Sequence, residues 1–220
     1  MTGGLRGRLL ALEGIDGCGK STQAALLTER LGAAVGDTRG VLSTFEPGAT
    51  VLGKTLRATL LASESPPISL RAEALLMAAD RAQHLAEVVE PALAAGQWVV
   101  TDRYSGSTLA YQGYGRGLDL HQLDVLVGWA TAGVTADLSI VVEVPVELGA
   151  RRRGGVADRF EALGMPFQQR VADGFAHLAA SDPGHWAVVD GTRPVDEVAD
   201  AVWAVVVDRF RPELASDGRR

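Results

Sequence analysis

The sequence predicts an α/β fold in three layers, a five-stranded parallel sheet flanked by helices, on three observations. A glycine-rich loop with a lysine and a serine joins an apolar run to a helix-like stretch. Short apolar runs alternate along the chain with amphipathic ones. One run, Leu138 to Val144, is apolar enough to be buried on both faces. All 220 residues are expected to form one domain, because a hydrophobic content of 47% builds a full core and no linker or repeat divides the chain.

Leu9-Leu10-Ala11-Leu12 is the first strand, and Thr22 to Leu31 the helix after its loop. Val41 to Phe45 reads as the second strand and Leu52 to Leu61 as a short helix, ended by Pro66-Pro67. Ser69 then caps a long helix whose apolar positions are Leu75, Ala78, Ala82, Leu85 and Val89, with Pro91 kinking or shortening it. Gly96 stops that element. Trp98 to Thr101 forms the third strand, running into Asp102-Arg103, with a helix starting at Tyr104. Leu138 to Val144 is the fourth and Trp186 to Val189 the fifth. The last helix, Val195 to Phe210, carries Val198, Val202, Val205 and Val206 on one side, and Arg211 to Arg220 reads as a frayed tail.

The loop is Gly14-Ile15-Asp16-Gly17-Cys18-Gly19-Lys20-Ser21, with Thr22 opening the helix. Glycine, four residues, then Gly-Lys-Ser is the spacing of a phosphate-binding loop, and phosphate chemistry explains each residue type. Glycines let successive backbone N–H groups turn inward around phosphate oxygens, where a Cβ would block the approach. Lys20 reaches the β- and γ-phosphates of a nucleoside triphosphate, and the Ser21 hydroxyl is a ligand for Mg²⁺. The chain has only two lysines, Lys20 and Lys54, against nineteen arginines, so a lysine at this position points to a specific role. The fold expected is therefore that of a P-loop NTPase binding a nucleoside triphosphate.

Composition narrows the partners. A net charge of −6 argues against nucleic acid as a ligand, which needs a basic face, and points to a small nucleotide. The absence of a secretion signal or a bilayer-spanning apolar stretch predicts a cytoplasmic protein without a membrane partner. Cys18 is the single cysteine, and the four histidines form no spaced metal-ligand set.

In parallel sheets ligands gather beyond the carboxyl ends of the strands. The first such end supplies the phosphate loop with Asp16, the second Glu46-Pro47-Gly48, and the third Asp102-Arg103-Tyr104. Asp102 is placed to hold Mg²⁺ through a water, with helix capping as its alternative role. The fourth strand leads into Gly149 to Pro166, which holds Arg151, Arg152, Arg153 and Arg159 among glycines. That segment reads as an arginine-rich lid or as a solvated basic turn.

Gly14 to Ser21, Glu46-Pro47-Gly48, Ala78-Ala79-Asp80-Arg81-Ala82-Gln83-His84, Asp102-Arg103-Tyr104, Ala110-Tyr111-Gln112-Gly113 and Asp158-Arg159-Phe160-Glu161 together resemble the bacterial thymidylate kinases, a family of P-loop nucleoside monophosphate kinases. The similarity runs from Leu9 to about Phe210. It implies transfer of the γ-phosphoryl group of ATP to dTMP, giving dTDP, with Mg²⁺ required and a homodimer as the working unit. By resemblance, Arg103 and Arg57 hold the acceptor phosphate, while Arg81, Thr108 and Gln112 read thymine. Tyr111 crowds the sugar, and Asp16 and Glu46 are carboxylates near sugar and metal. The phosphate loop here offers no arginine, so the resemblance assigns the catalytic arginine to the lid, with Arg153 preferred over Arg151 and Arg152. Three departures from the family stand out. Met77 replaces a phenylalanine that stacks on thymine, Phe45 replaces an arginine before Glu-Pro-Gly, and Ala49 replaces a second glycine.

The chemistry suits these residues. A phosphate monoester has a second pKa of about 6, so the acceptor is already nucleophilic at neutral pH without a general base. The barrier is the approach of two anions, and fixed cations lower it. A GTP-dependent switch fits poorly, because the chain contains no asparagine for the Asn-Lys-x-Asp guanine-reading pattern. A kinase for another nucleoside monophosphate is the neighbouring alternative.

Overall fold

The computed structural model describes residues 6–36, 40–62, 67–153 and 159–217. Five parallel strands, β1 Leu9–Glu13, β2 Val41–Phe45, β3 Trp98–Asp102, β4 Leu138–Glu143 and β5 Trp186–Asp190, form one sheet in the order β2-β3-β1-β4-β5. β1 lies at the centre with Leu12 opposite both Asp102 of β3 and Ile140 of β4. After β3 the chain crosses to the other side of β1, so the carboxyl ends of β1 and β3 open into a crevice at the point of reversal.

Residues alternate between two apolar layers. Leu10, Leu12, Val100 and Ile140 pack on one face with α1 Lys20–Val35, α8 Met165–Ser181 and α9 Val195–Asp217. Leu9, Ala11 and Val99 pack on the other with Leu85 and Val89. The two edge strands are only part-buried, whereas β1 is buried along its whole length.

α2 Val51–Leu61 is capped by Thr50, whose hydroxyl accepts from Gly53 N at 2.9 Å. α3 Leu70–His84 is capped by Ser69 as expected. It continues as a π-helical turn, Leu85–Val89, and a terminal segment, α4 Glu90–Ala94. Pro91 cannot donate to the Glu87 carbonyl, and the widened turn before it accommodates that loss. α5 Ser105–Thr108 opens one residue later than expected and runs into a π-helical stretch, Leu109–Gly115. α6 Leu120–Ala130 and α7 Val146–Arg152 complete the set.

Three expectations need correction. Leu75 is 57% exposed. The inward line of α3 and its extension is Ala74, Ala78, Arg81, Leu85 and Val89, because this helix buries polar groups that a purely apolar pattern passes over. The last helix does not fray at Arg211 but continues to Asp217 after a kink at Phe210. Glu213 is held there by Arg8, whose guanidinium bonds its carboxylate at 2.6 Å and that of Asp137 at 2.7 Å. Finally, residues 149–152 of the expected lid are helical, belonging to α7, while Pro66 and Asp158 lie outside the described residues.

Candidate active site

The phosphate loop occupies the turn between β1 and α1. Gly14 and Gly17 have φ of 136° and 79°, and a Cβ on Gly14 would lie 2.7 Å from the Val142 carbonyl oxygen, one on Gly17 2.2 Å from that of Gly149. Both positions therefore require glycine on conformation and on space. Lys20 is buried, its Nζ donating to the Ile15 carbonyl inside the loop at 2.8 Å. Cys18 is a buried filler, as Leu12 and Ile15 are.

Because β1 and β3 are paired in register, the loop lies beside Asp102. Ser21 Oγ donates to Asp102 Oδ2 at 2.5 Å, and Asp102 Oδ1 is buried without a hydrogen-bond partner. Asp102 does not cap α5, whose N-cap Tyr104 makes no side-chain capping bond. A hydroxyl and a carboxylate with an unsatisfied oxygen suit a hard divalent cation. Among the described residues no cluster of three or more His, Cys, Asp or Glu forms a metal cage, so the remaining ligands of such an ion would be phosphate and water.

Arg103 is the node that joins the phosphate loop to Ser107 and Tyr111. Its φ of 75° is unusual for a residue with a side chain and costs about 1–3 kcal/mol. Surrounding bonds hold it there. Its N–H donates to Leu12 O at 2.9 Å, and its carbonyl accepts from Thr101 Oγ1 at 2.8 Å. The guanidinium donates to Gly14 O, Ser107 Oγ, Asp16 Oδ1 and the Tyr111 hydroxyl. Tyr111 in turn donates to Asp16 Oδ2 at 3.0 Å. Beneath them Glu13, fully buried, accepts from Ser107 Oγ at 2.6 Å and from the N–H groups of Tyr104 and Ser107. It thus anchors the start of α5 and, through Ser107, the Arg103 fork.

The ionisation states follow from this packing. Burial pushes the Asp16 carboxyl up, but the charges of Arg103 and Lys20 and the hydrogen bonds from Tyr111 and Arg103 outweigh it, leaving a pKa of about 2. Burial drives the Tyr111 phenol well above its ordinary 10, against the pull of Arg103. Burial also raises Glu13, opposed by its bonds from Ser107 and Tyr104 and by Arg103.

The second wall of the crevice is built by α3 against the β2 end. The Glu46-Pro47 peptide is cis. Both Glu46 oxygens are engaged, one by Arg81 Nε and the other by His84 Nδ1, each at 2.8 Å, and His84 Nε2 contacts Thr44 Oγ1 at 2.7 Å. Asp80 Oδ1 accepts from Gly48 N at 3.0 Å, its carboxyl raised by burial and by the neighbouring Glu46 charge. The Ala78–His84 motif thus clamps the Glu-Pro-Gly turn, a role that explains why both motifs occur together. Arg81 also donates to Thr108 Oγ1 at 2.6 Å and Tyr104 O at 2.9 Å, while Arg57, exposed on α2, donates to Pro47 O at 2.7 Å. Gln112 Nε2 donates to buried Glu73 at 3.2 Å. Tyr111 lies under the Arg103 guanidinium at 4.9 Å and meets Phe160 edge-on at 6.0 Å, so its ring serves core packing as well as the site.

Two cavities result. One, beside the phosphate loop, is lined by Gly17 to Thr22, Asp102, Arg152 and the Gly191–Val195 turn. The other is lined by Met77, Arg81, Thr108, Tyr111, Gln112 and Phe160. Asp16, Glu46, Arg57 and Arg103 line both. Phe45, 45% exposed, faces the first, and Met77 the second.

The two arginines that end α7 and Arg153, which follows it, separate spatially. A Cβ on Gly17 would stand 2.9 Å from Arg153 Cγ, so the Arg153 stem lies on the phosphate loop. Arg152 donates to Gly191 O at 2.8 Å, at the far end of the first cavity. Arg151 is exposed and lines neither cavity. Glu13, Ser107, Glu73, Asp80, His84 and Phe160 complete the site without having been singled out individually from the sequence. Asp80, His84 and Phe160 lay inside motifs, whereas Glu13, Ser107 and Glu73 carried no local signal.

A phosphate loop on a five-stranded parallel sheet, with a second cavity sharing its arginines, defines a P-loop nucleoside monophosphate kinase. The thymidylate kinase family model matches residues 12–202. A thymidylate kinase of Synechococcus sp. (strain RCC307) is 50% identical over 206 residues, covering 92% of this chain and 96% of that one. One from Solidesulfovibrio magneticus is 48% identical over 206 residues, covering 90% and 97%. The crystal structure of the thymidylate kinase from Ehrlichia chaffeensis superposes with a TM-score of 0.75 at 30% identity, covering 91% of this chain and 99% of that one. The chain belongs to the thymidylate kinase family and transfers the γ-phosphoryl group of ATP to dTMP.

Proposed function

We propose that ATP lies along the Gly14–Thr22 loop, dTMP fills the cavity under Met77 and Phe160, and phosphoryl transfer occurs where the two meet. The observation that carries this reading is the shared lining of Asp16, Glu46, Arg57 and Arg103. Lys20 and the inward N–H groups hold the β- and γ-phosphates. Arg103 and Arg57 hold the acceptor phosphate; the fork of Arg103 is already pinned by Gly14, Ser107, Asp16 and Tyr111, so it acts through its fixed charge and its Nε–H. Because that fork is oriented before substrate arrives, little reorganisation is needed during transfer. Arg153, whose stem rests on Gly17, supplies the remaining positive charge at the γ-phosphate. Arg152 reaches the Gly191 turn and belongs to the nucleoside end of ATP.

Ser21 and Asp102 are the residues that would hold Mg²⁺, which when bound neutralises charge on the transferring phosphate. Glu46 acts by fixing Arg81, whose remaining N–H donors face the base cavity with Thr108 and Gln112. Tyr111 shapes the sugar subsite from beneath Arg103.

The whole chain acts as one kinase domain in the cytoplasm. None of its described helices is long and apolar enough to cross a membrane. The working unit is a homodimer formed by α2, α3 and α6. α3 packs against both of the others, and the three helices expose Val51 (83%), Leu75 (57%), Val125 (61%) and Trp129 (81%). A neighbourhood of large exposed apolar side chains on adjacent helices marks a protein interface. By sedimentation, wild type is expected to run as a dimer at micromolar concentration and Trp129→Glu as a monomer. A wild type that sediments as a monomer contradicts the interface.

ADP release with ATP and Mg²⁺ against dTMP, dUMP, UMP, dCMP and AMP tests the substrate placement. The expected order has dTMP first. A faster rate with AMP or UMP would assign the second cavity to another acceptor.

A further inference from the structure

We propose that Glu73 and Arg116 select the acceptor base indirectly, by fixing which end of the Gln112 amide faces the acceptor cavity. The proposal rests on the reading above that this cavity holds the base of dTMP. An unconstrained glutamine amide is a poor discriminator, because its oxygen and its NH₂ group are nearly the same size and exchange by a simple flip. It then meets a ring N–H or a ring lone pair equally well.

The structure removes that freedom. Glu73 is 1% exposed, and Arg116 binds it through two bonds, Nε to Oε1 at 3.1 Å and Nη2 to Oε2 at 2.6 Å. A carboxylate gripped by a guanidinium fork only accepts hydrogen bonds. Gln112 must therefore turn its NH₂ group towards Glu73, as it does at 3.2 Å. Its Oε1 is then the group presented to the cavity that Gln112 lines. Arg116 is itself held by the rings of Phe160 and Phe167, at 5.6 and 5.5 Å from their centres.

An acceptor facing the base favours a pyrimidine whose ring nitrogen carries a proton, as in thymine and uracil. Cytosine offers a lone pair at that atom, leaving two acceptors opposed and neither satisfied. Arg81, with two guanidinium N–H groups beyond its three protein bonds, adds donors suited to the adjacent ring carbonyl. Glu73 and Arg116 are thus positioning residues one layer behind the base.

The test compares kcat/KM for dTMP, dUMP and dCMP in wild type, Glu73→Gln, Gln112→Ala and the double variant, with thermal melting as a check on folding. A glutamine at 73 can donate to Gln112 Oε1 and release the flip. The dTMP-to-dCMP ratio is expected to fall about tenfold or more in Glu73→Gln, while the dTMP-to-dUMP ratio stays at its wild-type value. In the Gln112→Ala background the same change at 73 should leave the dTMP-to-dCMP ratio unmoved, because the effect passes through Gln112. Should Glu73→Gln fail to fold, Arg116→Gln loosens the clamp from outside and is expected to lower the ratio in the same direction. An unchanged dTMP-to-dCMP ratio overturns the proposal, as does an equal loss against dUMP or an effect that persists without Gln112. If Gln112→Ala alone leaves that ratio at the wild-type value, the base-cavity reading fails as well.

Discussion

Lys20→Ala is expected to lower kcat by about 10³-fold or more while the protein stays folded. A single well-placed donor to developing charge is worth about 10² to 10³ in rate, and Lys20 adds a full positive charge inside a loop that excludes most water. Its Nζ holds only the Ile15 carbonyl within the protein, with Cys18 Sγ at 3.7 Å, so its loss leaves no buried charge without a partner. The melting temperature should therefore stay close to that of wild type. Measured kcat near the wild-type value would remove the phosphate loop from the chemistry.

The second large effect belongs to Arg153. Arginines that act on a transferring phosphoryl group contribute about 10³ to 10⁵ in rate, and the loop between Gly14 and Gly19 supplies none. Of Arg151, Arg152 and Arg153, it is Arg153 whose stem lies on Gly17. Arg153→Ala is expected to lower kcat by about 10³-fold with KM for dTMP little changed, because the proposed placement gives the acceptor phosphate to Arg103 and Arg57. Steady-state kinetics of the three single alanine variants separate the roles. An unchanged kcat in Arg153→Ala, with a loss in Arg152→Ala, would move the charge to the Gly191 end of the cleft.

What the sequence makes legible is what local rules control. The phosphate loop can be read because its glycines, lysine and serine act within eight residues. The strands can be read because each is a short, mainly apolar run, clearest in the central ones, where β1 opens Leu-Leu-Ala-Leu and β4 carries Ile140-Val141-Val142 after Ser139. The misplacement of Leu75 has the opposite cause. α3 turns Glu73, Asp80, Arg81 and His84 inward to hold the Glu-Pro-Gly turn and Gln112, and a pattern that equates burial with hydrophobicity rotates the helix the wrong way. The extension of α9 to Asp217 depends on Arg8 and Glu213, 205 residues apart, and no window along the chain contains both. The Glu13–Ser107–Arg103 relay is hidden for the same reason. Arg103 was visible as a cation at a strand end, but its left-handed backbone and its anchors are tertiary facts.

In the proposed function, proximity of fixed cations, rather than removal of a proton, lets two anions react in this site. Asp16 has a pKa of about 2 and Tyr111 one well above its ordinary value, so neither group on the Arg103 node changes protonation between pH 5 and 9. The rate of the transfer step, measured in a single turnover across that range, is the most direct test. The account predicts one acid limb centred near pH 6, where the acceptor phosphate loses its second proton, and a plateau above it. A rate that climbs tenfold per pH unit through pH 7 to 9 would show a general base at work and contradict it.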